Sequence, residues 1–149
     1  METFPLPTPR STEEFARHIA HALEGVPRPS RAYIIGLSGE LGAGKTTFVQ
    51  GLARALGVTE VVQSPTFVLA KTYETARVWP RRILHIDAYR LERFEDLGPL
   101  RWNEEVADQG TLILLEWPEC VAPLSPVPDL SMTFSVTADR GREATVLAP

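Results

Sequence analysis

The chain has 149 residues, a formal net charge of −4 and one cysteine, Cys120, which suits a single domain spanning 1–149 and leaves no room for a sizeable second substrate domain. The acidic balance argues against a chain that grips nucleic acid by itself, because neutralising phosphates needs a basic face. A lone cysteine excludes an internal disulfide or a thiolate metal cluster and suits a reducing, cytoplasmic setting. No apolar run is long enough for a bilayer, so no membrane role is expected, and the start lacks the basic region of a signal peptide.

In chain order, Ser11-Thr12-Glu13-Glu14 reads as a capping box, with the Ser11 hydroxyl capping the start and Glu14 reaching back. Phe15, Ile19, Ala22 and Leu23 then form one apolar stripe, which predicts an amphipathic helix over 12–24. Gly25 to Arg31, with Pro27 and Pro29, is a turn. Tyr33 to Leu37 is an apolar strand that runs into Gly39-Glu40-Leu41-Gly42-Ala43-Gly44-Lys45-Thr46, a complete match to G-x-x-x-x-G-K-[ST]. A helix from Thr46 to Leu56, stopped by Gly57, completes the strand–loop–helix context that a phosphate-binding loop requires. The glycines let consecutive N–H groups curl around an anion, and the helix adds its positive end. Lys45 supplies a mobile point charge for the outer phosphates, and the Thr46 hydroxyl is placed to ligate Mg²⁺. Lys45 and Lys71 are the only lysines among many arginines. A lysine kept where a compact ammonium is needed fits the phosphate role.

Further along, Ser64-Pro65-Thr66 follows the loop helix by one connection, where P-loop switches often keep a metal-touching threonine; a plain turn is the alternative. Phe67 to Tyr73 and Ile83 to Asp87 alternate like strands. Glu92 to Asp108 is polar and predicts one or two short helices. Thr111 to Leu115 is a continuous apolar run, hence a central strand. After a proline-rich link, Leu130 to Val136 and Glu143 to Leu147 predict a hairpin. The pattern implies an α/β, P-loop NTPase-like layer sandwich, with parallel core strands and antiparallel additions. Asp87 and Glu116 stand at the C-terminal ends of apolar strands, the edge where ligands bind in open α/β sheets, so both are candidate metal or catalytic carboxylates. His85 alternates onto the same strand face as Asp87, where a packed or hydrogen-bonded histidine outweighs a catalytic one. His18 and His21 read as helix-surface residues. Trp117 either flanks a nucleotide or fills the core edge, and Tyr89-Arg90 either presents an arginine to a phosphate or partner or forms a solvated salt bridge.

The set G-E-L-G-A-G-K-T-T-F (39–48), S-P-T-F (64–67), H-I-D-A-Y-R-L (85–91), E-W-P-E (116–119) and G-R-E (141–143), in this order and spacing, resembles the TsaE family of bacterial ATPases. The likeness covers nearly the whole chain. It implies a P-loop NTPase fold and a Mg²⁺-dependent ATPase that acts with TsaB and TsaD in making threonylcarbamoyladenosine on tRNA, touching tRNA only through that complex. It further implies ATP contacts from Leu41, Gly42, Ala43, Gly44, Lys45 and Thr46, and Mg²⁺ held by Thr46 and Glu116. Asp87 would act on the outer shell of the metal or orient the attacking water, and Thr66 would belong to a switch loop. The family pattern also suggests nucleotide contacts from Glu119, from Arg142 and from the segment near Pro9. Departures are modest: Glu40 stands for the usual aspartate, Gln63 for a usual basic residue, and Gly98 to Asp108 differs most.

Other functions are weighed against this one. A small-molecule P-loop kinase needs an acceptor site and an arginine-bearing lid, for which only the short, acidic Glu92 to Asp108 is available. A GTPase lacks its [NT]-K-x-D guanine-reading motif here, and a nucleotide-binding adaptor would bind without turnover.

Overall fold

The computed structural model describes residues 1–65 and 69–148, and within them the strands join one seven-stranded sheet. These strands are β1 (Glu2–Pro5), β2 (Tyr33–Ser38), β3 (Ala70–Glu74), β4 (Arg82–Asp87), β5 (Thr111–Glu116), β6 (Leu130–Val136) and β7 (Arg142–Leu147). Between them lie helices α1 (Pro9–Glu24), α2 (Lys45–Ala55) and α3 (Trp102–Ala107), with 3₁₀ segments at Phe94–Leu100 and Pro118–Val121. The spatial order is β1-β7-β6-β2-β5-β4-β3. β2 runs parallel to both β5 and β6, and β4 parallel to β5, while β3, β7 and β1 add antiparallel at the flanks. The expected α/β layer sandwich, a parallel core with antiparallel additions, is the observed one.

Strand alternation sorts the apolar side chains onto two faces. Ile35, Leu37, Ile83, Leu112 and Leu114 pack against Phe15 of α1 and Phe48 and Leu52 of α2. Ile34, Leu84, Ile86, Ile113 and Leu115 point the other way, under Leu97, Trp102 and Val121. A sheet covered on both faces explains why β5 reads as an unbroken apolar run. Each fully buried Leu or Ile contributes about 1.5–3 kcal/mol relative to exposure, so these layers fix the register that sets the strand ends. α1 and α2 approach closely at Gly51, where a Cβ would stand 3.0 Å from that of Ala16.

The first helix begins three residues earlier than expected. Thr8, not Ser11, is its N-cap: the Thr8 hydroxyl accepts from the Ser11 N–H at 3.1 Å, and the Thr8 N–H donates to the Ser11 hydroxyl at 2.9 Å. Pro9 sits at the first helical position, where its fixed φ suits the helix and its missing N–H leaves nothing unsatisfied. Glu14 then has no capping role and lies on the exposed surface beside Arg10. β1, ahead of the first helix, adds a strand to the expected set, and as an edge strand it tolerates Pro5. The strand expected over Phe67 to Tyr73 is observed from Ala70, and Thr66, Phe67 and Val68 lie outside the described residues. Both short helices between Glu92 and Asp108 and the β6–β7 hairpin are present. No helix among the described residues is long and apolar enough to cross a membrane.

Candidate functional site

The C-terminal ends of β4 and β5, the loop after β2 and the start of α1 enclose a cleft of about 420 Å³. This is the sheet edge that receives ligands in parallel α/β folds. The loop leaving β2 turns through Gly39 (φ +130), Gly42 (φ +79) and Gly44 (φ +110) before α2 begins at Lys45. At Gly39 the fold allows no side chain: a Cβ would lie 2.2 Å from the Phe134 carbonyl oxygen of β6. Because α2 starts here, the unpaired N–H groups of its first turn open on the cleft together with the positive end of the helix dipole.

Lys45 is 5% exposed. Its Nζ donates to the carbonyl of Gly39 and, at 3.1 Å, to that of Glu40. The ammonium also stands 4.3 Å from the centroid of the Trp117 ring. Burial pulls its pKa below the ordinary lysine value, opposed by the charges of Glu116, Glu119, Asp87 and Glu40. A phosphate oxygen would offer this ammonium a charge-assisted bond in place of neutral carbonyls.

Asp87 and Glu116 are paired in register on neighbouring parallel strands, so both carboxylates project from one sheet face. They differ in surroundings. Glu116 is 3% exposed, and its Oε2 lies 2.8 Å from the Nε2 of the buried His85. Asp87 is half-buried and its Oδ1 accepts from the Tyr89 N–H at 3.0 Å. Trp117, next along, takes a left-handed backbone conformation (φ +61), and its N–H bonds the Leu37 carbonyl of β2. Its ring meets Tyr89 at 5.0 Å. The aromatic pair therefore borders the cleft as well as sealing the sheet edge.

Of the residues expected to touch nucleotide or metal, Pro9, Leu41, Gly42, Gly44, Lys45, Thr46, Asp87, Glu116 and Arg142 share this cleft. Arg142 arrives from β7, and its Nε donates to the Gly42 carbonyl at 3.0 Å. Ala43 does not line the cleft; it is buried, and its N–H donates to the Glu40 carbonyl. Glu119 does not line it either, being exposed and accepting from the Ser38 hydroxyl at 3.0 Å. Thr66 lies outside the described residues. Thr8, Thr12 and Thr47 line the cleft without having been anticipated; the signal that was available for the first two is Thr8-Pro9, a cap followed by a proline. None of the lining residues comes from Glu92 to Asp108.

The donor set suits a hard cation. Thr46 offers a hydroxyl and Glu116 a carboxylate, the oxygen ligands that Mg²⁺ prefers when phosphates and water complete its shell, and Asp87 adds a second carboxylate suited to the waters of that shell.

Comparison with known proteins agrees with this architecture. The family described as threonylcarbamoyl adenosine biosynthesis protein TsaE matches residues 6–144. The chain is 40% identical over 116 residues to the tRNA threonylcarbamoyladenosine biosynthesis protein TsaE of Bacillus subtilis, spanning 77% of this chain and 69% of that protein. It is 39% identical over 113 residues to the protein of the same name from Treponema pallidum, spanning 76% and 80%. Among solved structures, the crystal structure of Bacillus subtilis YdiB matches with a TM-score of 0.73 and 28% identity, covering 99% of this chain and 84% of that one.

Proposed function

This chain belongs to the TsaE family of threonylcarbamoyl adenosine biosynthesis proteins, and on that premise we propose that it binds ATP with Mg²⁺ and hydrolyses it as a subunit gated by TsaB and TsaD. Its place is in tRNA threonylcarbamoyladenosine biosynthesis. The observation that carries the reading is the single cleft in which the glycine loop, Lys45 and Thr46 meet Asp87 and Glu116.

The backbone of Leu41 to Thr46 would cradle the phosphates, with Arg142 bracing the loop through the Gly42 carbonyl. Lys45 would exchange its loop carbonyls for oxygens of the outer phosphates. Thr46 and Glu116 would hold the Mg²⁺, which when bound neutralises charge on the phosphates. Asp87 has one oxygen on the Tyr89 N–H, which orients the carboxylate to accept a hydrogen bond from a water molecule. Attack by that water on the γ-phosphorus breaks the bond to the bridging oxygen and yields ADP and inorganic phosphate. Pro9 and Thr12 bring the start of α1 to the same cleft, available to the rest of the nucleotide.

Gating follows from linkage. If the γ-phosphate changes the conformation of the segment near Ser64, which lines the cleft, partner affinity changes with it, and partners alter nucleotide affinity reciprocally. A net charge of −4 fits a subunit that leaves the grip on tRNA to its partners. The cleft walls contain nothing from the one segment that could serve as a kinase lid, which favours water over a hydroxyl substrate as acceptor. The reading is tested by ATP hydrolysis with the chain alone and with TsaB and TsaD. Stimulation that vanishes in Lys45→Ala supports it. Turnover indifferent to the partners contradicts the gating.

A further inference from the structure

His85 is completely buried on β4, where the other buried residues are Ile83, Leu84 and Ile86. An apolar residue would fill that place without leaving a polar atom unsatisfied, yet the Nδ1 of His85 is buried with no hydrogen-bond partner among the described residues. A buried ring nitrogen without a partner is a cost to the fold, and it coincides with one specific contact. The other ring nitrogen, Nε2, lies 2.8 Å from Glu116 Oε2, with both side chains at most 4% exposed. No other hydrogen bond to the Glu116 side chain occurs among the described residues; Lys45 donates to the Gly39 and Glu40 carbonyls instead.

We infer that His85 is a positioning residue, whose Nε2–H holds one oxygen of Glu116 so that the carboxylate is fixed in the cleft with its second oxygen free for the cation. This rests on the proposed reading in which Glu116 holds the metal. The parallel register makes the contact possible. Asp87 is directly opposite Glu116, and His85 lies two residues earlier on the same face of β4, so the bond runs diagonally back along the sheet. A buried carboxylate with no donor would be strongly disfavoured as an anion and free to change rotamer. One donated N–H answers both problems. Partners that orient metal-ligating groups in this way commonly matter 10–100-fold for metal affinity.

The test is Mn²⁺ binding to the full chain in the presence of ADP, read from the electron paramagnetic resonance signal of free Mn²⁺. ADP affinity in the presence of EDTA is measured beside it. In His85→Leu the Mn²⁺ dissociation constant should rise roughly 10–100-fold, while metal-free ADP binding is unchanged. His85→Gln, whose amide nitrogen can donate from nearly the same place, should recover affinity to within about threefold. Unaltered Mn²⁺ binding in His85→Leu overturns the inference. Equal losses in His85→Leu and His85→Gln also overturn it, since packing rather than the donated bond would then be responsible. Should His85→Leu fail to fold, His85→Gln and His85→Asn decide the matter. Asn is one methylene shorter and should lose the metal where Gln keeps it; equal binding by the two overturns the inference. If the unsubstituted chain itself shows no Mn²⁺-enhanced ADP binding, the metal role of Glu116 fails, and this inference fails with it.

Discussion

Asp87 and Glu116 face each other across two parallel strands, partnered in register at the last residues of β4 and β5. Sheet pairing alone brings two carboxylates to one point, and their surroundings then divide them. Glu116 is buried against His85, while Asp87 is half exposed to the cleft.

That division gives the two residues different phenotypes. Asp87→Asn should lower the turnover rate by roughly 10²–10⁴-fold, the range for losing a group that handles a reacting proton, with little change in the Mg²⁺ concentration required. Glu116→Gln should shift that requirement upward as well. Mg²⁺ titrations of hydrolysis by both variants check this, and identical metal curves would contradict it.

Under the proposed function, the buried charge of Lys45 is held for a ligand at the expense of the empty protein. Burial lowers its pKa, so the ammonium is less favourable in the folded chain than in the unfolded one. That penalty is full at neutral pH, where both states carry the proton. It is relieved only as pH rises through the lowered folded value toward the ordinary lysine value. Lys45→Met should therefore melt at or above the temperature of the unsubstituted chain at pH 7 without nucleotide, and its advantage should shrink on the alkaline side. Thermal melts at neutral and alkaline pH measure the gap; a Met variant less stable at neutral pH would contradict this.

Thr8 should behave as a true N-cap. Its bonds with Ser11 are reciprocal, so Thr8→Ala should remove about 1 kcal/mol and lower the melting temperature by roughly 2–4 °C for a chain of this size. Glu14→Ala, which an earlier helix start leaves without a capping role, should change it by much less. Paired melting curves decide between the two.

Gly39 should tolerate no substitution. A Cβ there meets the Phe134 carbonyl at 2.2 Å in a left-handed conformation, so Gly39→Ala should cost at least about 2 kcal/mol. Gly42, where a Cβ would meet nothing within 4 Å, should lose only the ease of its positive φ. Denaturant titrations of the two alanine variants compare them directly.

The turn through Gly39, Gly42 and Gly44 was readable because the glycine spacing is itself the backbone requirement. Asp87 and Glu116 were readable because each ends an apolar run, and a buried strand that closes on a carboxylate delivers it to the sheet edge. The start of α1 misled because two capping patterns overlap: Ser11-x-x-Glu14 is the stronger by residue type, yet Thr8-Pro9 wins because proline pre-forms the first turn. Glu119, expected at the nucleotide from the family pattern alone, does not line the cleft because the 3₁₀ turn after Trp117 carries it to Ser38. The His85–Glu116 bond depends on how β4 registers against β5, and register between distant strands is not written in either one.

The most direct test is calorimetric titration of Mg²⁺-ATP into the purified chain and into Lys45→Ala. Saturable one-to-one binding that weakens at least about tenfold, or roughly 1.4 kcal/mol, in the variant is the expected result. Equal affinity in both, or no binding by the unsubstituted chain, would contradict a phosphate site built on Gly39 to Thr46.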